Sequence, residues 1–364
     1  MQNRSRAFGA WAFLFAVIAL FGETTLGQEK LSSDIIHLET PPNADQQNQI
    51  SIYTSLWTER LKEGPDEQVS RARRKLLDPL TVGGTEHFRT AYCRIAGKGL
   101  REAGDCDRLL VRLNALIVAR EFTKNEPIVT LIQVGLEDDS PAIRYWAAQA
   151  VSESTDDLTR FKQADARQLI EKLSNILKRE RSMEVAEQVL LAIVSIRVEE
   201  SVEAATAAFN DRVRFHKGNP ELPFKTELGP LTEFFQKLIR LRAENQLVDE
   251  AFRQTARAAG RYYFLLSRQA TEAELDADLQ QDYLAMATMC DKILGYVHNT
   301  VLKVESGGPV PLTRFDKWPR IHEKARQWWR VLTQAPYAFE SADLEIPDAP
   351  GNEWIVAPQA IPAS

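Results

Sequence analysis

Apolar residues recur at helical spacing along most of the chain, and the clearest case is Pro127 to Ser154. Ile128, Leu131, Ile132 and Leu136 form one stripe, and Ile143, Ala147, Ala150 and Val151 form a second. Between them lies the polar turn Asp138-Asp139-Ser140-Pro141. Ser140 suits an N-cap, because its hydroxyl can accept from an otherwise orphaned backbone N–H. Pro141 suits the first helical position, where its missing N–H costs nothing and its fixed φ is already helical. Asp138 and Asp139 then stand at the positive end of the second helix dipole. The stretch reads as a helical hairpin, and its alanines allow close approach of a neighbouring helix.

The same pattern returns on both sides. Asp107 to Phe122 reads as a strong helix through Leu109, Leu110, Leu113, Leu116 and Ile117. Val111 to Val118 can be laid over Ile143 to Ala150, which matches Arg112 with Arg144 and Ala115 with Ala147. Downstream, Ala166 to Leu177 is amphipathic, and Met183 to Ile196 aligns Val185 with Ile143 and Val189 with Ala147. That third unit has Ala186 in place of the arginine and lacks the turn proline. The spacings, about 32 residues before and about 42 after, are those of a helical-repeat array, for which three units are about the minimum.

The chain resembles a HEAT-type repeat at these residues, including the short HEAT-like repeats of phycobilin lyases. The resemblance rests on Asp139, Pro141, Ile143, Arg144, Ala147 and Ala150. It implies that Asp138 or Asp139 pairs with Arg144 in a structural role. A ligand contact is the alternative for Arg144. The expected fold class is all-α: a HEAT-like α-solenoid of helical hairpins followed by a helical C-terminal region. The divisions expected are 1–27 a signal peptide, 28–84 a helical lead, 85–215 the repeats, 216–230 a linker or long loop, 231–335 helical, and 336–364 a Pro-rich acidic tail. The lead carries a helix with Ile52, Leu56 and Trp57 on one face, then an exposed helix ending near Pro79. Gly97-Lys98-Gly99 reads as part of a flexible interhelix loop.

Composition narrows the function. A formal charge of −6 argues against a general nucleic-acid binder. Arg4 and Arg6 followed by apolar Phe8 to Gly22 look like a secretory signal, with cleavage after Gly27 leaving Gln28 first, or after Gly22. The expected location is periplasmic or cell-envelope. An uncleaved anchor is the alternative, and it alone would bring the chain to a membrane. Export permits disulfides, and of the three cysteines Cys93 and Cys106, flanking the expected loop, are the candidate pair; three reduced thiols are the alternative.

Reactive chemistry is hard to find. The five histidines, His37, His87, His216, His298 and His322, are scattered without metal-binding spacing. No catalytic, metal or cofactor residues are assigned. Arg253, Arg257 and Arg261 fall at i, i+4 and i+8 on one helix face and are the candidate anion- or partner-binding stripe, or else a solvated face paired with Asp276, Asp278 and Asp282. Trp328 and Trp329, with Arg326 and Arg330, form a platform or a docking face. The reading is a non-catalytic interaction or scaffold protein whose partner is another protein on the concave repeat surface, with Tyr145 and Gln149 as contacts. The alternatives are a lyase- or hydrolase-type enzyme on a helical scaffold, or an anion- or glycan-binding module.

Overall fold

The computed structural model describes residues 29–122, 125–152, 163–196, 199–218, 222–244, 246, 248–272, 276–304, 308–312, 318–340 and 344. The expected signal segment lies outside them. Among the described residues all regular structure is helical. They fall in two compact units, Met1–Ala150 and Val151–Ser364.

The first unit runs through α1 (Ser33–Ile36), α2 (Ala44–Glu63), α3 (Asp66–Thr81), α4 (Glu86–Gly104), α5 (Leu109–Glu121), α6 (Glu126–Gly135) and α7 (Pro141–Ser152), whose last two residues pass the division. Local chemistry sets several of these starts. Asn43 caps α2 by accepting from the Gln46 N–H at 2.9 Å, and the Gln46 side chain accepts from the Asn43 N–H in return. Asn125 caps α6. The Ser140 carbonyl accepts the first bonds of α7, from Ile143 and Arg144, so Ser140 stands at the N-cap position.

Packing follows an alternating rule. Helix α2 packs on α3 and on α4, α3 on α5, and α4 on α5 and α6. One row is therefore α2, α4, α6, and α3 and α5 lie in the other. This is the stacking of helical hairpins in a solenoid. A run of rings fills the first rows: Tyr53, Trp57, Phe88, Tyr92 and Phe122 are all buried, with Phe88 and Tyr92 5.2 Å apart. Tyr53 and Tyr92 donate to the Lys75 and Leu76 carbonyls of α3. Burial pushes both phenols well above their ordinary pKa, so they stay protonated donors. The buried face of α2 is Ile50, Tyr53, Trp57 and Leu61, while Ile52 is exposed. Helix α3 continues past Pro79 and buries Val69, Ala72, Leu76 and Leu80, so it belongs to the core rather than to an exposed surface.

The second unit obeys the same rule. Its helices are α8 (Gln163–Arg179), α9 (Met183–Ser195), α10 (Glu199–Gly218), α11 (Lys225–Ala243), α12 (Asp249–Glu272), α13 (Ala277–Tyr296), extended by a π-turn at Val297–Val301, and α14 (Trp318–Leu332). Helices α8, α10, α12 and α14 pack in one row, and α9, α11 and α13 in the other. The hairpin stacking thus continues through residues where no repeat is legible in sequence.

Three expectations need correction. Residues 216–230 are not a long loop: α10 runs to Gly218 and α11 begins at Lys225 with Pro230 inside it, so only a short connection remains. The start of the expected tail is docked, with Tyr337, Phe339 and Leu344 buried and the Phe339 N–H donating to the Leu332 carbonyl. Residues 97–104 are not a loop but the second half of α4. The glycines there serve close approach instead of flexibility. A methyl group built on Gly99 would lie 2.6 Å from Thr58 Oγ1 and 2.8 Å from Thr58 Cβ on α2.

That contact yields a signed prediction. Gly99→Ala should gain about 1 kcal/mol of helix propensity but lose about 1–3 kcal/mol to overpacking against a stiff β-branched neighbour. The net is a lower urea midpoint. In a Thr58→Gly background, which removes the Cβ as well as the hydroxyl, the same change should become neutral or stabilising. Equal destabilisation in both backgrounds would show that Thr58 is not the obstacle.

Candidate functional site

The turn between α6 and α7 is a joint. Arg144 Nη1 donates to the carbonyls of Asp138 and Asp139 at 2.8 and 2.9 Å. Arg112 Nη1 makes the same pair of bonds one repeat earlier, to Cys106 and Asp107 at 3.2 and 3.1 Å. The two arginines thus bind the carbonyls five and six positions before themselves. The Asp138 carboxylate does not pair with Arg144. It accepts from the Ser140 N–H at 2.8 Å and forms an ion pair with Arg112 at 3.1 Å, tying one turn to the previous one. Asp139 and Pro141 are exposed. In the second unit, buried Glu180 does the same work, accepting from the Arg181 and Ser182 N–H groups, and the Ser182 hydroxyl caps α9. Sequence reasoning missed Glu180, although it stands about 42 residues after Asp138, the repeat spacing already in hand.

Cys93 and Cys106 are not joined. Because α4 is unbroken, Cys93 and the helix end at Gly104 are separated by about 16 Å of axial rise. A disulfide needs Cα atoms within about 7 Å. Cys290 is fully buried, and burial, together with the charge of neighbouring Asp291, pushes its thiol well up, which makes it a poor nucleophile.

The arginine stripe is internal bracing. Arg261 is buried and donates to Asn210 Oδ1 on α10 at 2.8 Å. Arg253 donates to the Tyr337 carbonyl, stacks over the Phe339 ring at 5.1 Å and pairs with Glu250, so it clamps the C-terminal segment. Arg257 is half-buried between them. The expected pairing with Asp276, Asp278 and Asp282 is not what engages Arg253 or Arg261. Trp328 and Trp329 belong to the core: Trp328 donates to Asp291 at 2.8 Å, and Trp329 packs 4.7 Å from Phe264.

Three buried polar clusters in the second unit have the composition of reactive sites. Glu227, fully buried, accepts from Arg212 at 2.6 Å and bonds His216 Nε2 at 2.8 Å. Asp291 takes the Trp328 indole, the Leu312 N–H and the Lys324 ammonium. Lys237 donates to the carbonyls of Val194 and Ile196 at the end of α9 and to Ser201. In each cluster the charged group is at most 9% exposed and is bonded to neighbouring helices or their ends. Such clusters fasten helices together; a catalytic group must also reach substrate. Among the described residues no three His, Cys, Asp or Glu side chains gather to hold a metal ion, and no helix is long and apolar enough to cross a membrane.

A surface pocket of about 180 Å³ lies on α2 and α3, lined by Glu29, Trp57, Arg60, Gln68 and Arg71. The Arg60 guanidinium stacks over the Trp57 ring at 4.6 Å, and Arg71 stands 5.9 Å from the same ring. Glu29 spans the two, with one carboxylate oxygen 3.4 Å from Arg60 and the other 3.3 Å from Arg71. Trp57 itself is 1% exposed, and its indole N–H has no hydrogen-bond partner among the described residues. Trp57 was legible only as a core residue, because Arg71 and Glu29 reach it from other segments.

The alternating rows define the class: in each unit the fold is all-α, a stack of helical hairpins of the α-solenoid kind. No family model and no curated protein matches it. Similar solved structures include an engineered protein of the Northeast Structural Genomics Consortium, at 13% identity and TM-score 0.41 over 66% of this chain and 97% of that one. A designed armadillo repeat protein in complex with peptide (KR)4 matches at 14% identity and TM-score 0.34, over 76% and 97%. A second engineered protein of the same consortium matches at 13% and 0.36, over 86% and 80%.

Proposed function

We propose that the chain is a non-catalytic protein-interaction module or scaffold that works in the cell envelope after export. The observation that carries this reading is how its charged residues are used. The buried acids and bases join helices to one another, and within each unit the hairpins stack in rows, the arrangement on which repeat proteins bind their partners. On α7, Tyr145 and Gln149 are half-buried, and Trp146 packs against Tyr145 and under the Arg120 guanidinium. Aromatic and arginine side chains of this kind are the usual anchors of protein interfaces. The apolar Phe8–Gly22 stretch behind Arg4 and Arg6 supports export.

The test is chemical cross-linking of the tagged protein in cells, followed by envelope fractionation. A discrete cross-linked partner is expected, weakened by Tyr145→Ala, and the recovered chain should begin at Gln28. Recovery of an uncleaved chain from the cytosol, or of no partner at any detergent or salt, would overturn the reading.

A further inference from the structure

The pocket on α2 and α3 is built to hold a carboxylate, and the chain itself provides one. Two guanidinium groups from different helices converge beside one indole face, and Gln68 adds an amide. Arg60 reaches the ring because it follows Trp57 by three positions on α2, while Arg71 comes across from α3. Glu29 engages them loosely. Each guanidinium receives a single oxygen near the upper limit of hydrogen-bond distance, and Arg60, Arg71 and Glu29 are 35, 55 and 42% exposed. A well-seated carboxylate takes two parallel bonds from one arginine at shorter range. Glu29 lies in a non-helical stretch ahead of α1, so the pocket already accepts an acidic side chain from an irregular segment. Exposed Arg74, one turn beyond Arg71, extends the positive charge along α3.

We propose that this pocket reads an acidic side chain on an extended segment of a partner protein, and that Glu29 is its built-in competitor. The inference rests on the interaction-module reading and names the chemistry of the partner. The two guanidinium groups take the charge of the incoming carboxylate, and stacking on the buried Trp57 ring holds Arg60 in place for it. Before a partner docks, Glu29 shields the arginines. Docking exchanges one carboxylate for another and frees the segment that carries Glu29.

The test uses the full mature chain and a fluorescein-labelled hexaglutamate peptide, with hexaglutamine as the neutral control, followed by anisotropy at low ionic strength. Wild type should prefer hexaglutamate. Glu29→Gln should tighten that binding by about threefold to fivefold, the worth of an exposed ion pair. Arg60→Gln with Arg71→Gln should weaken it by about tenfold or more. Circular dichroism checks that the double variant folds; should it not, the Glu29→Gln arm decides alone, since it alters one exposed side chain. Equal binding of the two peptides, or no tightening in Glu29→Gln, overturns the proposal. If the peptide preference is absent while the cross-linked partner is still recovered, the pocket inference falls and the interaction module stands. If Glu29→Gln tightens peptide binding but no partner is ever cross-linked, the pocket stands and the scaffold reading falls.

Discussion

Replacing Glu227 by alanine is expected to lower the stability of the second unit by about 3–5 kcal/mol. Glu227 is 0% exposed, with one oxygen on Arg212 Nε at 2.6 Å and the other on His216 Nε2 at 2.8 Å. Arg212 is 2% exposed, and its guanidinium also lies 4.1 Å from the Phe215 ring. Removing the carboxylate strands that charge where water cannot reach it. The damage spreads because the cluster is a crossing point. The His216 carbonyl accepts from Gln269 on α12, whose side-chain oxygen accepts from Tyr283 on α13. A loss of this size is a large part of the 5–15 kcal/mol that stabilises a typical domain. The measurement is the urea midpoint. Glu227→Gln should cost nearly as much as alanine, since the lost charge dominates. The double change Arg212→Met with Glu227→Leu should recover most of the loss, since no buried charge is left alone. A cost below about 1 kcal/mol for Glu227→Ala would mean that Arg212 finds water or another partner.

Asp291→Ala should cost about 3 kcal/mol and loosen α14 in particular. Asp291 is 5% exposed and holds three donors at once: Trp328 Nε1 at 2.8 Å, the Leu312 N–H at 2.7 Å and Lys324 Nζ at 3.3 Å. Two of these come from α14 and one from the connection before it, so the carboxylate is a polar tie between α13 and α14. The cost should be smaller than at Glu227, because the Lys324 contact is longer, 3.3 Å against 2.6 Å for Arg212. Hydrogen exchange checks the locality. Amides of α14 should exchange faster in Asp291→Ala, while those of α2 to α5 should not change. Asp291→Asn, which keeps an acceptor for Trp328, should fall between the two. Uniform acceleration over the whole chain would rule out a local tie.

Much of the first unit is legible in sequence alone. The stripes around Ile128 and Ile143, the turn at Asp138 to Pro141 and the match of Arg112 with Arg144 are short-range patterns, and short-range patterns survive in sequence. The failures share a cause. Gly97 and Gly99 carry the composition of a loop, yet both are helical: a methyl on Gly99 would meet Thr58 at 2.6 Å, and one on Gly97 would stand 3.0 Å from Asn125 Oδ1. Pro230 and its neighbours carry the composition of a linker, yet α11 begins before them. The regular spacing of Arg253, Arg257 and Arg261 suggested a solvent face, but Arg253 and Arg261 find partners in Tyr337 and Asn210, which are 84 and 51 positions away.

By itself the sequence determined that this protein is helical, where most of its helices run, and that at least three hairpins repeat. Helical period, capping residues and turn chemistry act within a few positions, so they need no knowledge of the fold. Tertiary structure decided which charges are buried, that hairpin stacking within the second unit runs to α14, and that Tyr337, Phe339 and Leu344 are buried. It also brought Glu29, Trp57, Arg60 and Arg71 to one pocket. Each of those depends on groups that meet across helices, and a long arginine, lysine or glutamate side chain reads the same in sequence whether it ends in water or on a buried partner.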